Sequence, residues 1–553
     1  MSGNIIGIFI GNAERFPEKT AIIDGDRAIT YGELLRDVRN AARYLTERGI
    51  GKGDPMLIFV PMSLDLYIIL LAAFHIGAVG LFVDAWSDRR RLAAACRMLP
   101  PRAFVGVPKA HLLRLLSREI RAIPIKMFAS AVVGAGFKPA RPESSVDTGA
   151  DPVRADSVRE ESVRIDLVWA GLKPAPTSSL TLPPTATAPD DPALVTMTTG
   201  STGTPKGARR THRFLVAQHD ALVRSLGSSA EDIDMPLLPV FVLSNLALGA
   251  TTVIPPVDPR NVESFDPSAV VDVIHRAGVT STSGSPAFYD LLVRYCAERK
   301  VALPTLRALA LGGAPVFPRL AAALVAAFPN VEITIVYGST EAEPISTITA
   351  GELLRAAAVP RRGLPEGTPT PDIEVMILPI REELLAENRA VLERLRLPAE
   401  EIGEICVAGE HVLKEYYGDP AVWRKNKIFV DDEVWHRTGD AGYLDAGGKL
   451  YLAGRVRQSF IHGGERIFVF PIEERLLEME GVAAGTIIQL GERLVVVAEP
   501  APGMKLTVAE IEMMMAKAGI PYDTVMTFRA IPRDPRHRSK IDYDRLRELV
   551  EKR

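Results

Sequence analysis

TMTTGSTGTPKG, residues 196–207, overlaps the end of the strand-like run ALVTM and carries six hydroxyl side chains, three glycines (Gly200, Gly203, Gly207) and one cation, Lys206. Glycines let a backbone turn successive N–H groups towards one point, which makes a concave anion site. The hydroxyls of Thr198, Thr199, Ser201 and Thr202 add donors, and Lys206 adds a mobile positive charge on a long stem. Such a loop suits a polyphosphate. It is not a Walker loop, which needs G-x-x-x-x-G-K-[ST]; here Pro205 precedes Lys206 and Gly207 follows it. Nor is an ordered STGTPKG string after a strand what a Ser/Thr/Gly linker looks like.

Outward from this loop, short β-branched runs alternate with longer helical patterns. Residues 56–60 precede a helical 66–74, and residues 333–336 follow a helical 320–328. That alternation predicts α/β domains with largely buried sheets. At 553 residues the chain exceeds what one core supports, so more than one domain is expected. The last hundred residues read as a separate small α+β unit, with strands near 404–407 and 494–499 and helices around 508–517 and 543–552. Residues 130–190 break the pattern. They are rich in Pro, Ala, Ser and Thr, and AGFKPARP (135–142) recurs as AGLKPAPT (170–177), with DSVR (156–159) and ESVR (161–164) between them. This composition predicts an inserted, poorly ordered segment that is dispensable for chemistry.

A net charge of −3 offers no electrostatic case for nucleic acid or an anionic membrane, so a small molecule is the expected partner. Cys96, Cys296 and Cys406 are too scattered for a metal or disulfide framework and fit buried thiols in a reducing cytoplasm. The start, MSGNIIGIFIGNAERFP, lacks a basic n-region and a cleavage site, so no signal peptide is expected and the chain is read as cytoplasmic. Residues 66–83 are apolar enough to raise the question of a membrane span, which needs about 20 apolar residues. His75, Gly77 and Gly80 interrupt them, predicting a buried helix (66–75), a Gly turn and a buried strand (79–83) instead.

Four further motifs follow the phosphate loop in order: GGAPV (312–316), YGSTEAEPIS (337–346), WHRTGDAGYLDAGGKLYLAGR (435–455) and HGGERIFVFPIEE (462–474). RHRSKIDYDRL (536–546) comes last. With them the chain resembles the adenylate-forming superfamily of acyl-CoA synthetases, peptide-synthetase adenylation domains and luciferases. The resemblance runs from the N-terminus to residue 549, apart from the insert. It implies a large N-terminal α/β domain of several subdomains (1–454), one of them barrel-like, and a small mobile α+β C-terminal domain (455–553), with the active site between them. It also implies the chemistry: a carboxylic acid, ATP and Mg²⁺ give acyl-AMP and pyrophosphate, with CoA as the acceptor in a second half-reaction.

Attack of a carboxylate on a phosphate sets two anions against each other, so the site must neutralise charge and hold an in-line geometry. By resemblance, Glu341 helps to place Mg²⁺ on the phosphates and Thr340 donates to the α-phosphate. Tyr337, Gly338, Gly313 and Ala314 line the nucleotide, Asp440 accepts the ribose hydroxyls, and Arg455 assists it. Lys540 reaches the α-phosphate from the C-terminal domain. Arg457 holds the hinge position. Phe241, Val242, Gly284 and Gly312 are expected at the acyl pocket, with apolar lining from 241 to 248 and around Phe288.

Three features depart from the common pattern. Val242 stands where many CoA ligases place a histidine, Arg457 replaces the usual Asp or Lys, and the lysine motif reads RHRSKID rather than an SGK form. Together with FVGVPKAHLLR (104–114) and TSGSPAFYDLLVRY (282–295), they make the chain similar to the β-lactone synthetases of bacterial olefin biosynthesis. Those enzymes close a ring through the substrate's own hydroxyl in place of CoA. Acyl-CoA ligation is therefore one expectation and β-lactone formation from a β-hydroxy fatty acid another. A non-catalytic nucleotide or acyl binder is a third, which the intact Lys206, Glu341, Asp440 and Lys540 argue against.

Overall fold

The computed structural model describes residues 4–83, 89–134, 183–199, 205–258, 264–358, 362–533 and 540–552. The run PMLIF makes the strand Pro55–Phe59, which pairs in parallel with Val79–Phe82 on one side and Ala103–Gly106 on the other. Ala103–Gly106 is buried at every residue, as an apolar run in a parallel sheet covered on both faces should be. The helix Leu64–His75 is buried at every residue but Asp65, with Ser63 capping it by accepting from the Leu66 N–H at 3.4 Å. Its apolar surface packs inside the large domain. Among the described residues no helix is long and apolar enough to cross a membrane.

This first sheet has seven strands, and its far edge is formed by Pro192–Thr199, Pro205–Thr211 and Tyr416–Tyr417. Pro192–Thr199 and Pro205–Thr211 are antiparallel, and their last pair is Thr199 with Pro205. The candidate phosphate loop is thus the connection of a hairpin rooted in the sheet.

The second sheet begins with a largely parallel half: Thr20–Asp24, Thr251–Val253, Ile233–Pro236, Ser281–Gly284, Ala308–Gly312 and Glu332–Ser339, in that spatial order. It continues through antiparallel strands Ala342–Thr349, Leu364–Pro369, Leu450–Arg455, Glu433–Leu444, Gly403–Gly409 and Ile373–Leu378. The strand expected near 404–407 therefore belongs to this large sheet and not to the small C-terminal unit. Local pattern could not assign it, because its partners lie about thirty residues away on either side.

The large domain's last strand ends at Arg455, and a 3₁₀ turn, Val456–Gln458, leads into the smaller domain. That domain has the antiparallel pair Val482–Leu490 and Arg493–Pro500, a parallel third strand Thr524–Thr527, and helices Phe470–Leu477, Val508–Ala518 and Tyr543–Glu551. The α/β architecture with a large N-terminal and a small C-terminal domain is as expected.

Both ends of the expected insert differ from the reading of composition. Residues 130–133 belong to a helix, Ala129–Val133, whose Val132 is fully buried. On the other side the Thr185 N–H donates to His75 O at 2.8 Å, and Lys52 Nζ donates to Ala186 O at 3.1 Å. Proline-rich sequence is anchored here by tertiary contacts that composition does not reveal. The repeats, within 135–182, lie outside the described residues. Replacing 135–182 by a short flexible linker is expected to preserve activity and melting temperature. Deleting 130–190 should instead lower the melting temperature by several degrees, through loss of the Val132 packing and the His75 and Lys52 contacts. Thermal melts of the two deletions check this; equal melting temperatures would refute the revised boundary.

Candidate active site

The hairpin that carries the candidate phosphate loop brings Lys206 into the interior. Its residue is 2% exposed, and its ammonium has no hydrogen-bond partner among the described residues. Nζ sits 5.7 Å from the centroid of the Tyr416 ring. Burial pushes its pKa below the ordinary lysine value, and the charge of Glu341 opposes that shift. An uncompensated buried ammonium is costly unless an anion completes it. Gly200, Ser201, Thr202 and Gly203 lie outside the described residues, as do the side chains of Thr198 and Thr199, whose backbones continue the strand.

Glu341 arrives from the other sheet. Glu332–Ser339 and Ala342–Thr349 pair as a hairpin whose two-residue tip is Thr340–Glu341. Three contacts hold that tip: Arg210 donates to Thr340 O at 3.0 Å, the Leu413 N–H donates to Glu341 O at 2.7 Å, and the Tyr416 hydroxyl donates to Glu341 Oε1 at 3.0 Å. Arg210 is buried beside Glu343, whose carboxyl burial lifts to about 7. Lys427 stands behind Tyr416 with Nζ 5.4 Å from its ring centroid, donating to Leu413 O. Two lysines, a tyrosine and a carboxylate thus surround the tip, which is an arrangement for anionic oxygen.

Burial lowers the Lys427 pKa to about 7, the nearby Glu341 raises it, and Lys206 lowers it. The unfolded chain keeps that proton up to the ordinary value near 10.5 and the folded chain releases it near 7. Between these values the unfolded state binds more protons, so stability rises with pH by up to about 1.36 kcal/mol per pH unit. Lys427→Met is expected to remove that contribution. Its melting temperature should exceed the wild-type value most at pH 7 and converge on it towards pH 10. A difference between the two proteins that is constant over this range would contradict the assignment.

The third group centres on Asp440. The Tyr337 hydroxyl donates to Oδ2 at 2.8 Å and Arg455 Nε pairs with Oδ1 at 3.0 Å. Strand register places Asp440 directly opposite Arg455. Each carboxylate oxygen keeps a lone pair for a further donor, such as a diol. Glu366 is buried close by, and burial together with Asp440 raises its carboxyl to about 8. The strand leading to GGAPV ends where a Cβ on Gly312 would lie 2.5 Å from Val336 O. Gly313 then turns with φ +81°, which leaves it exposed beside a half-buried Ala314. Gly338 lies at the strand irregularity between Tyr337 and Ser339.

The acyl-pocket expectations divide by helical and strand period. In the helix Pro239–Leu248, residues Phe241, Ser244, Asn245 and Leu248 line a cavity against Ser283, Ala310 and Thr334 of the parallel strands. The spacing i, i+3, i+4, i+7 puts them on one face. Val242 points the other way and is fully buried in the core with Leu243 and Leu246. Gly284 alternates away from Ser283, and a Cβ there would touch Leu237, Phe288 and Tyr289. Phe288 is core as well, its ring 4.8 Å from that of Phe265 and stacked on it. Val242, Gly284 and Phe288 thus pack in the core and do not line this cavity. Gly312 follows Ala310 by two residues on the same strand face.

Lys540 lies in the small domain, just ahead of the bridge from Ile541 to Arg533. Arg457 is exposed in the 3₁₀ turn Val456–Gln458. Sequence reading missed Tyr416, Lys427, Arg210, Glu343 and Glu366. Lys427 opens the strand Lys427–Val430 at 4% exposure, a burial that the sequence does not mark. Tyr416 reaches the loop by pairing with Ala208, and nothing local marks that.

The sequence pattern of the AMP-binding enzyme family matches residues 9–417. The chain is 31% identical over 548 residues to the olefin beta-lactone synthetase of Stenotrophomonas maltophilia, covering 94% of this chain and 91% of that protein. It is 30% identical to the olefin beta-lactone synthetase of Xanthomonas campestris pv. campestris, covering 94% and 90%. Among solved structures it resembles the amide bond synthetase McbA from Marinactinospora thermotolerans, with TM-score 0.76 and 21% identity over 99% of both chains. Phosphate hairpin, acidic tip, carboxylate–arginine pair and family match agree: the chain belongs to the AMP-binding enzyme family and is an AMP-forming acid ligase of the adenylate-forming superfamily.

Proposed function

We propose that this enzyme uses ATP to activate a β-hydroxy fatty acid and closes it to a β-lactone. A carboxylate oxygen attacks the α-phosphorus and pyrophosphate leaves; the acid's own hydroxyl then attacks the acyl carbon, loses its proton, and displaces AMP. The observation that carries the first step is the buried Lys206 ammonium, which has no hydrogen-bond partner among the described residues and feels the charge of Glu341 at the neighbouring tip. Mg²⁺ fits the residues present, since it is bound by one or two carboxylates together with substrate phosphates, and Glu341 would hold it. The bound ion would neutralise developing phosphate charge. Asp440 with Arg455 would orient the ribose, and Tyr337 and the Gly312–Gly313 bend would bound the base. Phe241 and Leu248 supply apolar lining for an alkyl chain.

The lactone step rests on likeness to two proteins named olefin beta-lactone synthetase. Transfer to CoA is the second reading, favoured by a 26% likeness to a putative acyl–CoA ligase of Bacillus subtilis. Incubation of the enzyme with ATP, Mg²⁺ and 3-hydroxydecanoic acid, with and without CoA, separates them. Lactone and AMP without CoA are expected. A thioester formed only when CoA is present would overturn the lactone step and leave adenylation standing.

A further inference from the structure

The cavity between the helices His212–Leu226 and Pro239–Leu248 and the parallel strands is apolar at Leu222, Phe241 and Leu248 and also carries hydroxyl side chains, Ser244 and Ser283 among them. Ser283, 4% exposed, lines it, and its Oγ has no hydrogen-bond partner among the described residues. A buried hydroxyl left unpaired costs free energy, so a chain that keeps one has a use for it or a ligand to complete it. Ser244 lines the same cavity from the helix and is bonded at 2.8 Å to Nδ1 of the buried His219. A hydroxyl has one proton and two lone pairs, so the bond to His219 fixes its orientation and leaves further capacity towards the cavity.

Other polar groups along the cavity are engaged with one another. Asp234 accepts from Asn245 at 2.8 Å and from Ser281 at 2.7 Å, and Asp232 is paired with Arg307. These charged groups and Glu332 stand at the starts of the strands, whereas Ser283 lies further along, level with Ala310 and Thr334.

We propose that Ser283 and Ser244 form an oxygen-recognition site within the acyl cavity, selecting an aliphatic carboxylic acid that bears an alcohol oxygen, with His219 as the positioning residue for Ser244. The proposal rests on the adenylation reading and extends it by naming what discriminates the substrate. An unsubstituted chain would leave Ser283 unpaired and the Ser244 capacity unused, so it binds less well than its hydroxylated analogue.

The test is carboxylate-dependent exchange of pyrophosphate into ATP, with kcat/KM measured for decanoic, 3-hydroxydecanoic and 6-hydroxydecanoic acids. The wild-type protein is expected to prefer at least one hydroxy acid over decanoic acid. Ser283→Ala and Ser244→Ala should each lower that ratio about tenfold, the magnitude of one buried hydrogen bond. His219→Phe should lower it similarly without moving the KM for ATP; a change confined to ATP would refute its positioning role. Melting curves identify any variant whose fold is damaged, and the remaining serine variant then decides. Ratios unchanged in both serine variants, or no wild-type preference, would overturn the oxygen site and leave adenylation standing. Exchange with none of the acids would overturn the adenylation reading, and the site with it.

Discussion

Lys206→Met is expected to lower carboxylate-dependent pyrophosphate exchange by roughly 10²–10³-fold while leaving the melting temperature unchanged or raised. The two effects have one cause. The ammonium is buried without a hydrogen-bond partner among the described residues, and burial lowers its pKa. The folded protein therefore bears a desolvation penalty that Glu341 offsets only in part and that an incoming anion would relieve further. Methionine has a similar length and no charge, so it removes the penalty together with the means of stabilising phosphate charge in the transition state. Glu341 would not be orphaned, because Tyr416 still donates to it at 3.0 Å. Glu341→Gln serves as the companion, and its exchange should fall most at limiting Mg²⁺ if the carboxylate holds the metal. Exchange within threefold of wild type for Lys206→Met would show that the lysine fills space and nothing more.

Residues recognisable in the sequence are those whose role is carried by their own strand or loop. The helix Leu64–His75 and the strand after it follow from one apolar run broken at Gly77. Asp440 and Arg455, fifteen residues apart, fall opposite each other because a hairpin joins their strands. Tyr416 and Lys427 were not legible, since they meet the phosphate hairpin across some 210 residues of chain, and only the completed sheet brings them there. Burial direction was the other blind spot. Val242 and Ser244 sit two positions apart on one helix, and which of them faces the cavity depends on how that helix is rotated against the strands. The apolar stretch alone leaves that rotation open.

Lys540→Ala is expected to reduce acyl-AMP formation by roughly 10²–10³-fold while leaving consumption of chemically made acyl-AMP near the wild-type rate. The lysine's segment is fixed to the small domain: Ile541 bridges to Arg533, the Asp542 N–H donates to Pro532 O at 2.9 Å, and Tyr543 is buried against Thr486 and Glu473. Lys540 is therefore part of that domain, and we propose that its access to the nucleotide depends on the link after Arg455. That link is the 3₁₀ turn Val456–Gln458, a short element often found at hinges. Proline locks φ near −65°, a value within the 3₁₀ range. Arg457→Pro should thus accept the turn as it stands and oppose other conformations. A thioester-forming enzyme that rotates between half-reactions should lose acyl-AMP consumption in this variant. An enzyme that closes a lactone where the adenylate forms needs no such rotation, so lactone release from supplied acyl-AMP should persist in both Lys540→Ala and Arg457→Pro. If Lys540→Ala lost both half-reactions equally, the lysine would be needed throughout, and its assignment to adenylation alone would fail.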